Sequence, residues 1–274
     1  MNKLQELKQI IGKYRSVVVA FSGGVDSTFL ARVCRDVVGE HLLLVTATSS
    51  TYPSFEHQQA VELAKEYGMR HRDIVSEEIE IAGFAENTPD RCYYCKRELF
   101  GALERIRGQD GYAVVFDGTN ADDLHDYRPG SRAAKELGIV SPLCEAGLRK
   151  EDIRRYSRDY GLPTADKGSF ACLASRFPYG ERITTEKLDR VGKAEEALRG
   201  LGFRQFRVRS HGDAARVELA IDDLARGWEM RTALSRACKE AGFVFASLDL
   251  EGYRTGAMNE ALRNGGSHAG TGKE

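Results

Sequence analysis

"VVVAFSGGVDST", residues Val17–Thr28, starts as a β-branched apolar run, breaks at Gly23 and Gly24, and resumes with Asp26 and Ser27 ahead of a stretch with helical apolar spacing, "TFLARVCRDVV". A continuous run of this kind reads as a strand covered on both faces, as in parallel sheets. Glycine permits positive φ and lets a ligand approach the backbone with no Cβ in the way, and the first N–H groups of the helix that follows attract negative charge. An anion is the expected occupant. The spacing is neither the G-x-x-x-x-G-K-[ST] of a Walker loop nor the G-x-G-x-x-G of a dinucleotide fold. Asp26 discriminates: a carboxylate beside a phosphate is repulsive unless it caps the helix or a divalent cation bridges the two. Mg²⁺ with pyrophosphate therefore fits Ser22, Gly23, Gly24, Asp26 and Ser27 better than a plain turn capped by Asp26.

Outward from this turn the chain alternates strand and helix signals. "HLLLVTATS" reads as strand, "FEHQQAVELAKEYG" as helix with a glycine stop, "RHRDIVSEEI" as strand, "RELFGALERIRG" as helix, and "AVVFDGTNADD" as a strand ending in a polar loop. "EDIRRYSRDYGL" is a further helix, closed by Gly161 and Pro163. Such alternation predicts a doubly wound parallel sheet with function at the C-terminal ends of the strands. Beyond Pro178 the texture changes to a helix ("TTEKLDRVGKAEEALRGLGF"), a hairpin turning near Gly212, a helix ("DDLARGWEMRTALSRACKEAG") and a strand ("VFASLDL"). The expected organisation is an α/β domain over 1–177, a smaller α+β domain over 178–262 and a disordered polar tail over 263–274.

Composition narrows the class. The 274 residues are 42% hydrophobic and 30% charged, as in soluble globular proteins. No apolar run approaches the roughly 20 residues of a membrane span. The first residues, "MNKLQELKQIIGKYRS", carry charges throughout an amphipathic pattern rather than a secretory h-region, so a cytoplasmic location and no membrane partner are expected. A formal net charge of -1 gives no global pull toward nucleic acid.

Six cysteines in such a chain do not suggest a disulfide framework. Cys34 and Cys238 fall on helices and read as small buried hydrophobes; Cys144 reads as structural. "NTPDRCYYCKREL" sets Cys92 and Cys95 on a turn, followed by Lys96, and "SFACLASRFPYG" supplies Cys172, Ser175 and Arg176. Four-ligand zinc is disfavoured for want of a second pair. Three cysteines in two loops suit three irons of a [4Fe–4S] cluster with the fourth iron open to a labile sulfur; incidental thiols are the plainer alternative. Asp117, Gly118, Asn120, Asp122 and Asp126 follow a predicted strand, where nucleotide-site loops belong; a polar turn is the plainer alternative. Lys96, Arg128 and Arg176 are the loop cations best placed for phosphates, although any one of them taken alone reads as a solvated surface charge. Arg207 and Arg209, two apart on a strand, share one face and read equally as a substrate-phosphate site or, with Glu218, an inter-subunit metal site, or as a solvated sheet face.

The Ser22–Ser27 signature resembles that of the PP-loop ATP pyrophosphatases, the adenine nucleotide alpha hydrolase-like group, which split ATP between its α- and β-phosphates and leave a substrate oxygen adenylylated. By that analogy Thr46 and Ala47 lie near the adenine. "AFSGGVDS", "NTPDRCYYCK", "DGTNADDLHDYRPG", "ACLASRFPYG", "FRVRSHGDAARVEL" and "LDLEGYRTGAMN" further resemble the LarE family over nearly the whole chain. The resemblance implies ATP- and Mg²⁺-dependent adenylylation of a carboxylate of a pyridinium biscarboxylic acid mononucleotide, followed by replacement of AMP with sulfur, in nickel-pincer nucleotide synthesis. It implies that the cysteine matching Cys172 is sacrificed to dehydroalanine, or, in three-cysteine members, that Cys92, Cys95 and Cys172 hold the cluster that carries the sulfur. It also implies a symmetric homo-oligomer built through the small domain, and it leaves the sulfur donor open. The rivals are a tRNA thiolase, an ammonia-using amide synthetase and a nucleotide-binding regulator. The chain lacks the basic or zinc-binding modules that usually accompany the first, and neither of the others needs three loop cysteines.

Overall fold

The computed structural model describes residues 2–125, 129–168 and 172–254. The chain divides into two compact units, one up to residue 170 and one from residue 171, which puts Cys172–Phe177 with the second unit rather than the first. The expected tail over 263–274 lies outside the described residues, as do Asp126 and Arg128.

In the first unit the elements run α1 (Lys3–Ile11), β1 (Val17–Ala20), α2 (Val25–Val38), β2 (Leu42–Thr48), α3 (Ser54–Glu66), β3 (Arg70–Val75), α4 (Ala82–Ala85), α5 (Arg91–Asp110), β4 (Val114–Phe116), α6 (Gly130–Glu136), α7 (Pro142–Glu145) and α8 (Lys150–Asp159). The sheet order is β3-β2-β1-β4, with every neighbouring pair parallel. Alternate residues of the strands supply two separate cores. Val17, Val19, Leu42, Leu44 and Phe116 pack with Phe29, Leu63, Leu143 and Ile153 on one face, whereas Val18, Leu43, Val45 and Val115 pack with Phe100, Leu103, Ile106 and Ala133 on the other. Helices on both faces explain why these strands are apolar without alternation. The chain builds outward from β1 through β2 to β3 and then returns to β1's other side with β4. The order therefore reverses beside β1, and the crevice for a ligand opens at the C-terminal ends of β1 and β4.

The second unit comprises α9 (Thr185–Gly200), β5 (Phe206–His211), β6 (Ala214–Leu219), α10 (Leu224–Glu229), α11 (Arg231–Glu240) and β7 (Phe245–Leu248). β5 and β6 form the expected antiparallel hairpin, with Gly212 at φ 59° in its turn, and β7 adds to β6 in parallel. Thr184 caps α9 by accepting from the Lys187 N–H, and Leu188, Val191, Ala194 and Leu198 form its buried stripe. Two expectations are corrected. The segment read as one helix over "DDLARGWEMRTALSRACKEAG" breaks at Met230; Gly227, a weak helix former, lies so close to Leu219 that a Cβ there would stand 2.2 Å from its Cδ1. Cys92 and Cys95 are not on a turn: α5 starts at Arg91, five residues before Lys96, and takes both thiols into its first turns.

Candidate active site

At the end of β1 the chain enters the turn at Gly23, whose φ is +61°; an added Cβ would lie 2.9 Å from the Cα of Ala60 in α3. Only glycine meets both demands, the left-handed backbone and the helix backbone packed against it. Gly24 is the N-cap of α2, and no side chain caps this helix start. Asp26 thus stands in the first turn and does not serve as the cap. The turn is tied from inside: the Ser27 hydroxyl accepts from the Ser22 N–H at 3.3 Å, lies 3.1 Å from the Ser22 hydroxyl and donates to the Gly24 carbonyl at 3.3 Å. Tyr52, following β2, donates its hydroxyl to the Ser22 carbonyl at 2.7 Å. Burial, and then the Glu56 carboxylate, raise the pKa of that phenol, so it stays a donor.

Asp26 carries the charge of the site. Its Oδ2 accepts from Lys150 Nζ at 2.6 Å, and its Oδ1 is buried with no hydrogen-bond partner among the described residues. A buried carboxylate oxygen left in this state costs free energy unless a cation or donor arrives. This oxygen fits a divalent ion, and Asp26 is the residue that would hold Mg²⁺. Gly118, in the loop after β4, comes against the same turn: a Cβ on it would lie 3.3 Å from the Ser27 nitrogen and 3.6 Å from the Asp26 Cβ. The adjacent loop is fixed by Asp117, which accepts from Thr119 Oγ1 and Ser141 Oγ at 2.6 Å each, and by Asn120, which accepts from the Asp122 N–H at 2.9 Å. Asp122 in turn accepts from the Lys150 N–H at 2.8 Å, which joins this loop to the start of α8.

The structure thus brings Ser22, Gly23, Gly24, Asp26, Ser27 and Gly118 together, with Asp117 and Asn120 in the neighbouring loop. Thr46 and Ala47 lie at the end of β2; Thr46 is buried, donates to the Phe21 carbonyl and contacts His71, each at 2.8 Å. Lys96 is elsewhere: it projects from α5 with its ammonium 5.3 Å from the centre of the Phe100 ring, against the start of α6 at Gly130. Cys92 is exposed and Cys95 half-buried, one helical turn apart on the face of α5 that also carries Lys96. That spacing fits two ligands of one centre. Among the described residues no group of three or more His, Cys, Asp or Glu is gathered as for a metal ion.

In the second unit Cys172 is exposed. Arg176, expected as a loop cation facing phosphate, is instead fully buried and held by Glu195, Nε to Oε1 at 2.7 Å and Nη2 to Oε2 at 2.9 Å. The reason is energetic: a buried guanidinium needs a carboxylate and full hydrogen bonding, and α9 supplies it from within its apolar stripe. Arg176 Nη1 also donates to the Cys172 carbonyl at 3.2 Å and to Ser175 Oγ at 2.8 Å, so the pair fastens the thiol's own segment. Arg207 and Arg209 are 5% and 6% exposed, which removes the solvated-face reading. Arg209 forks onto Glu218 at 3.0 Å by two bonds and donates to the Ser175 carbonyl at 2.7 Å. Arg207 donates to the Phe206 carbonyl at 2.7 Å and lies over the Tyr253 ring; burial, then the Arg176 charge, lower its pKa.

Burial pushes the Cys34 and Cys238 thiols up, the latter to about 11, and burial followed by Asp117 does so for Cys144, as structural cysteines require. Sequence reasoning missed Lys150, Lys167 and Glu56, which meet at the turn. Lys167 Nζ donates to Gly23's carbonyl at 3.2 Å and to Glu56 Oε2 at 2.6 Å.

A family model described as NAD synthase matches residues 3–107, the part that holds the turn and β1–β3. A relative from Lactiplantibacillus plantarum, pyridinium-3,5-bisthiocarboxylic acid mononucleotide synthase, is 37% identical over 247 residues, covering 90% of each chain. The chain belongs to this synthase's family, LarE. The Synechocystis protein slr1717 is 42% identical over 268 residues, covering 95% of this chain and 98% of its own, and MJ0830 of Methanocaldococcus jannaschii is 30% identical over 258 residues, covering 93% and 98%. The match to these relatives runs through both units, so the segment of Cys172 and the buried arginines lies inside the shared length.

Proposed function

We propose that this protein is an ATP-dependent sulfur transferase that converts a carboxylate of pyridinium-3,5-biscarboxylic acid mononucleotide into a thiocarboxylate, a step of nickel-pincer nucleotide synthesis. The observation that carries the reading is the turn at Gly23–Asp26: an uncapped helix start, a glycine that only a close-packed loop needs, and an aspartate with one oxygen on Lys150 and the other buried and unpartnered. A substrate carboxylate oxygen attacks the α-phosphorus of ATP; the bond to the oxygen bridging the α- and β-phosphates breaks, and pyrophosphate leaves with the electron pair toward the turn. Mg²⁺ held by Asp26 would supply charge neutralisation for that group. Asp117, Gly118 and Asn120 line the nucleotide side, with Thr46 and Ala47 toward the adenine, and the buried arginines Arg207 and Arg209 favour the substrate's phosphate.

Sulfur then attacks the acyl carbon and AMP departs. On one route the attacking atom is the Cys172 sulfur: a base removes the Cys172 Cα proton, the Cβ–S bond breaks, and the thiocarboxylate leaves a dehydroalanine. On the other, favoured by the one-turn spacing of Cys92 and Cys95, those two thiols and Cys172 would hold a [4Fe–4S] cluster, which would supply the sulfur. The same proposal has the protein act in the cytoplasm as a homo-oligomer on a free mononucleotide rather than on tRNA.

The test is anaerobic turnover of the full chain with ATP, Mg²⁺ and the mononucleotide, followed by pyrophosphate assay, intact mass and iron and sulfide analysis. Mononucleotide-dependent pyrophosphate with loss of one sulfur and two hydrogens establishes the Cys172 route; product with unchanged mass and bound iron and labile sulfide establishes the cluster route. Pyrophosphate release that ignores the mononucleotide, or tight salt-sensitive retention of tRNA, overturns the proposal.

A further inference from the structure

Of the cations that the sequence singled out for the phosphates, Lys96 lies on α5 and Arg176 is buried on Glu195, while Arg128 is outside the described residues. The turn nevertheless has a lysine on it. Lys167 Nζ stands 3.2 Å from the Gly23 carbonyl and 2.6 Å from Glu56 Oε2, and the two side chains are 18% and 4% exposed. Its backbone is pinned by α8: Arg154 donates to the Ala165 and Lys167 carbonyls at 2.5 and 2.9 Å, and Arg158 pairs with Asp166 at 2.7 Å. Two ammonium protons are thereby engaged, and the third has no partner among the described residues.

We propose that Lys167 is the cation that receives the departing pyrophosphate; this rests on the reaction proposed above. Consecutive Cα atoms are about 3.8 Å apart, so an ammonium touching the Gly23 carbonyl is within reach of a phosphoryl group seated on the N–H groups of the next residues. The Glu56 carboxylate, nearly fully buried, keeps the ammonium aimed while its hydrogen bond moves from the carbonyl to a phosphoryl oxygen. A helix start contributes only about half a unit of positive charge. Asp26 is already opposed by Lys150, so without Lys167 the turn would meet a highly charged leaving group with Glu56 uncompensated beside it. A point charge with three rotatable donors suits a group that changes its charge as it leaves.

The experiment titrates inorganic pyrophosphate with Mg²⁺, and separately AMP, into the wild-type chain, Lys167→Gln, Lys167→Arg and the double variant Lys167→Gln/Glu56→Gln. The expected result is a loss of about tenfold to a hundredfold in pyrophosphate affinity for Lys167→Gln, the size of a lost charge-assisted hydrogen bond, with AMP affinity unchanged and partial recovery in Lys167→Arg. The double variant removes the stranded Glu56 charge. If Lys167 were only Glu56's structural partner, the double variant would regain pyrophosphate affinity, and that result overturns the proposal. So does pyrophosphate binding within twofold of wild type in Lys167→Gln. Wild-type protein that retains no pyrophosphate overturns both this assignment and the proposed reaction, whereas normal wild-type binding with an unaffected variant removes the assignment alone.

Discussion

Arg176→Met separates a fastening role from a phosphate-binding one. The guanidinium is fully buried and makes two bonds to Glu195, one to the Cys172 carbonyl and one to the Ser175 hydroxyl. Removing it leaves the Glu195 carboxylate, 3% exposed, with the Val208 N–H at 3.0 Å as its remaining close donor in this network. Stranding a buried charge in this way costs about 3–5 kcal/mol. With a urea slope of about 2 kcal/mol per molar, the unfolding midpoint of the second unit falls by roughly 1.5–2.5 M. Trp228, the single tryptophan, lies in that unit and reports the transition alongside circular dichroism. The double variant Arg176→Met/Glu195→Leu removes both charges and regains most of the loss, leaving about 1 kcal/mol for each uncompensated bond to the 172–175 segment. An exposed loop arginine would instead change stability by about 0.5 kcal/mol or less and act only on substrate affinity. A single variant that costs under about 1 kcal/mol, or a double variant no better than the single, refutes the buried-pair account.

Gly23→Ala places a Cβ at φ +61° against the α3 backbone, so a loss of about 1–2 kcal/mol from the backbone alone, plus the clash, is expected in thermal unfolding, together with loss of pyrophosphate release. Asp26→Asn removes the charge facing Lys150 and the fit to a divalent ion; kcat/KM for pyrophosphate release should drop about 10²- to 10³-fold while stability moves by less than about 1 kcal/mol, and a variant as active as wild type over a Mg²⁺ titration would contradict that role. The Thr46 hydroxyl donates to the Phe21 carbonyl and so accepts from His71 Nε2–H, which leaves Nδ1 to take a proton. Burial lowers the His71 pKa below its usual value despite Asp73; the unfolded chain therefore binds the proton more readily, stability is full above about pH 6.5, and it falls as pH drops toward the folded value. Unfolding free energies measured from pH 7.5 to 5 should decline less steeply in His71→Asn than in wild type, and identical slopes would sink this assignment.

The strand and helix order was legible because both faces of the sheet are covered: Val17–Val19 and Leu42–Val45 are apolar without interruption, and no surface strand tolerates that. The turn was legible because its chemistry is local. Arg176 was misread because charge alone says surface, yet a signal was present in its partner. Glu195 falls among Leu188, Val191 and Leu198 on the apolar stripe of α9, and an acid there demands a buried cation. Arg207 and Arg209 hide in the same way, alternating with Phe206 and Val208 in a strand buried on both faces. Cys92 and Cys95 read as a turn, whereas the helix that holds them starts at Arg91, directly after Pro89 and Asp90.

No such signal marks Lys150 and Lys167, which are 124 and 144 residues from the atoms of the turn they contact. Their place depends on α8 returning against α2 after β4 is laid down, and no local period encodes that. The match to the NAD synthase family ends at residue 107, so the part of the chain that carries the shared turn excludes both lysines. A strand, two glycines and a helix start can hold an anion in many proteins. The cations that meet this turn come here from the returning half of the unit. A change in the 150–168 segment should therefore weaken pyrophosphate binding without touching the signature.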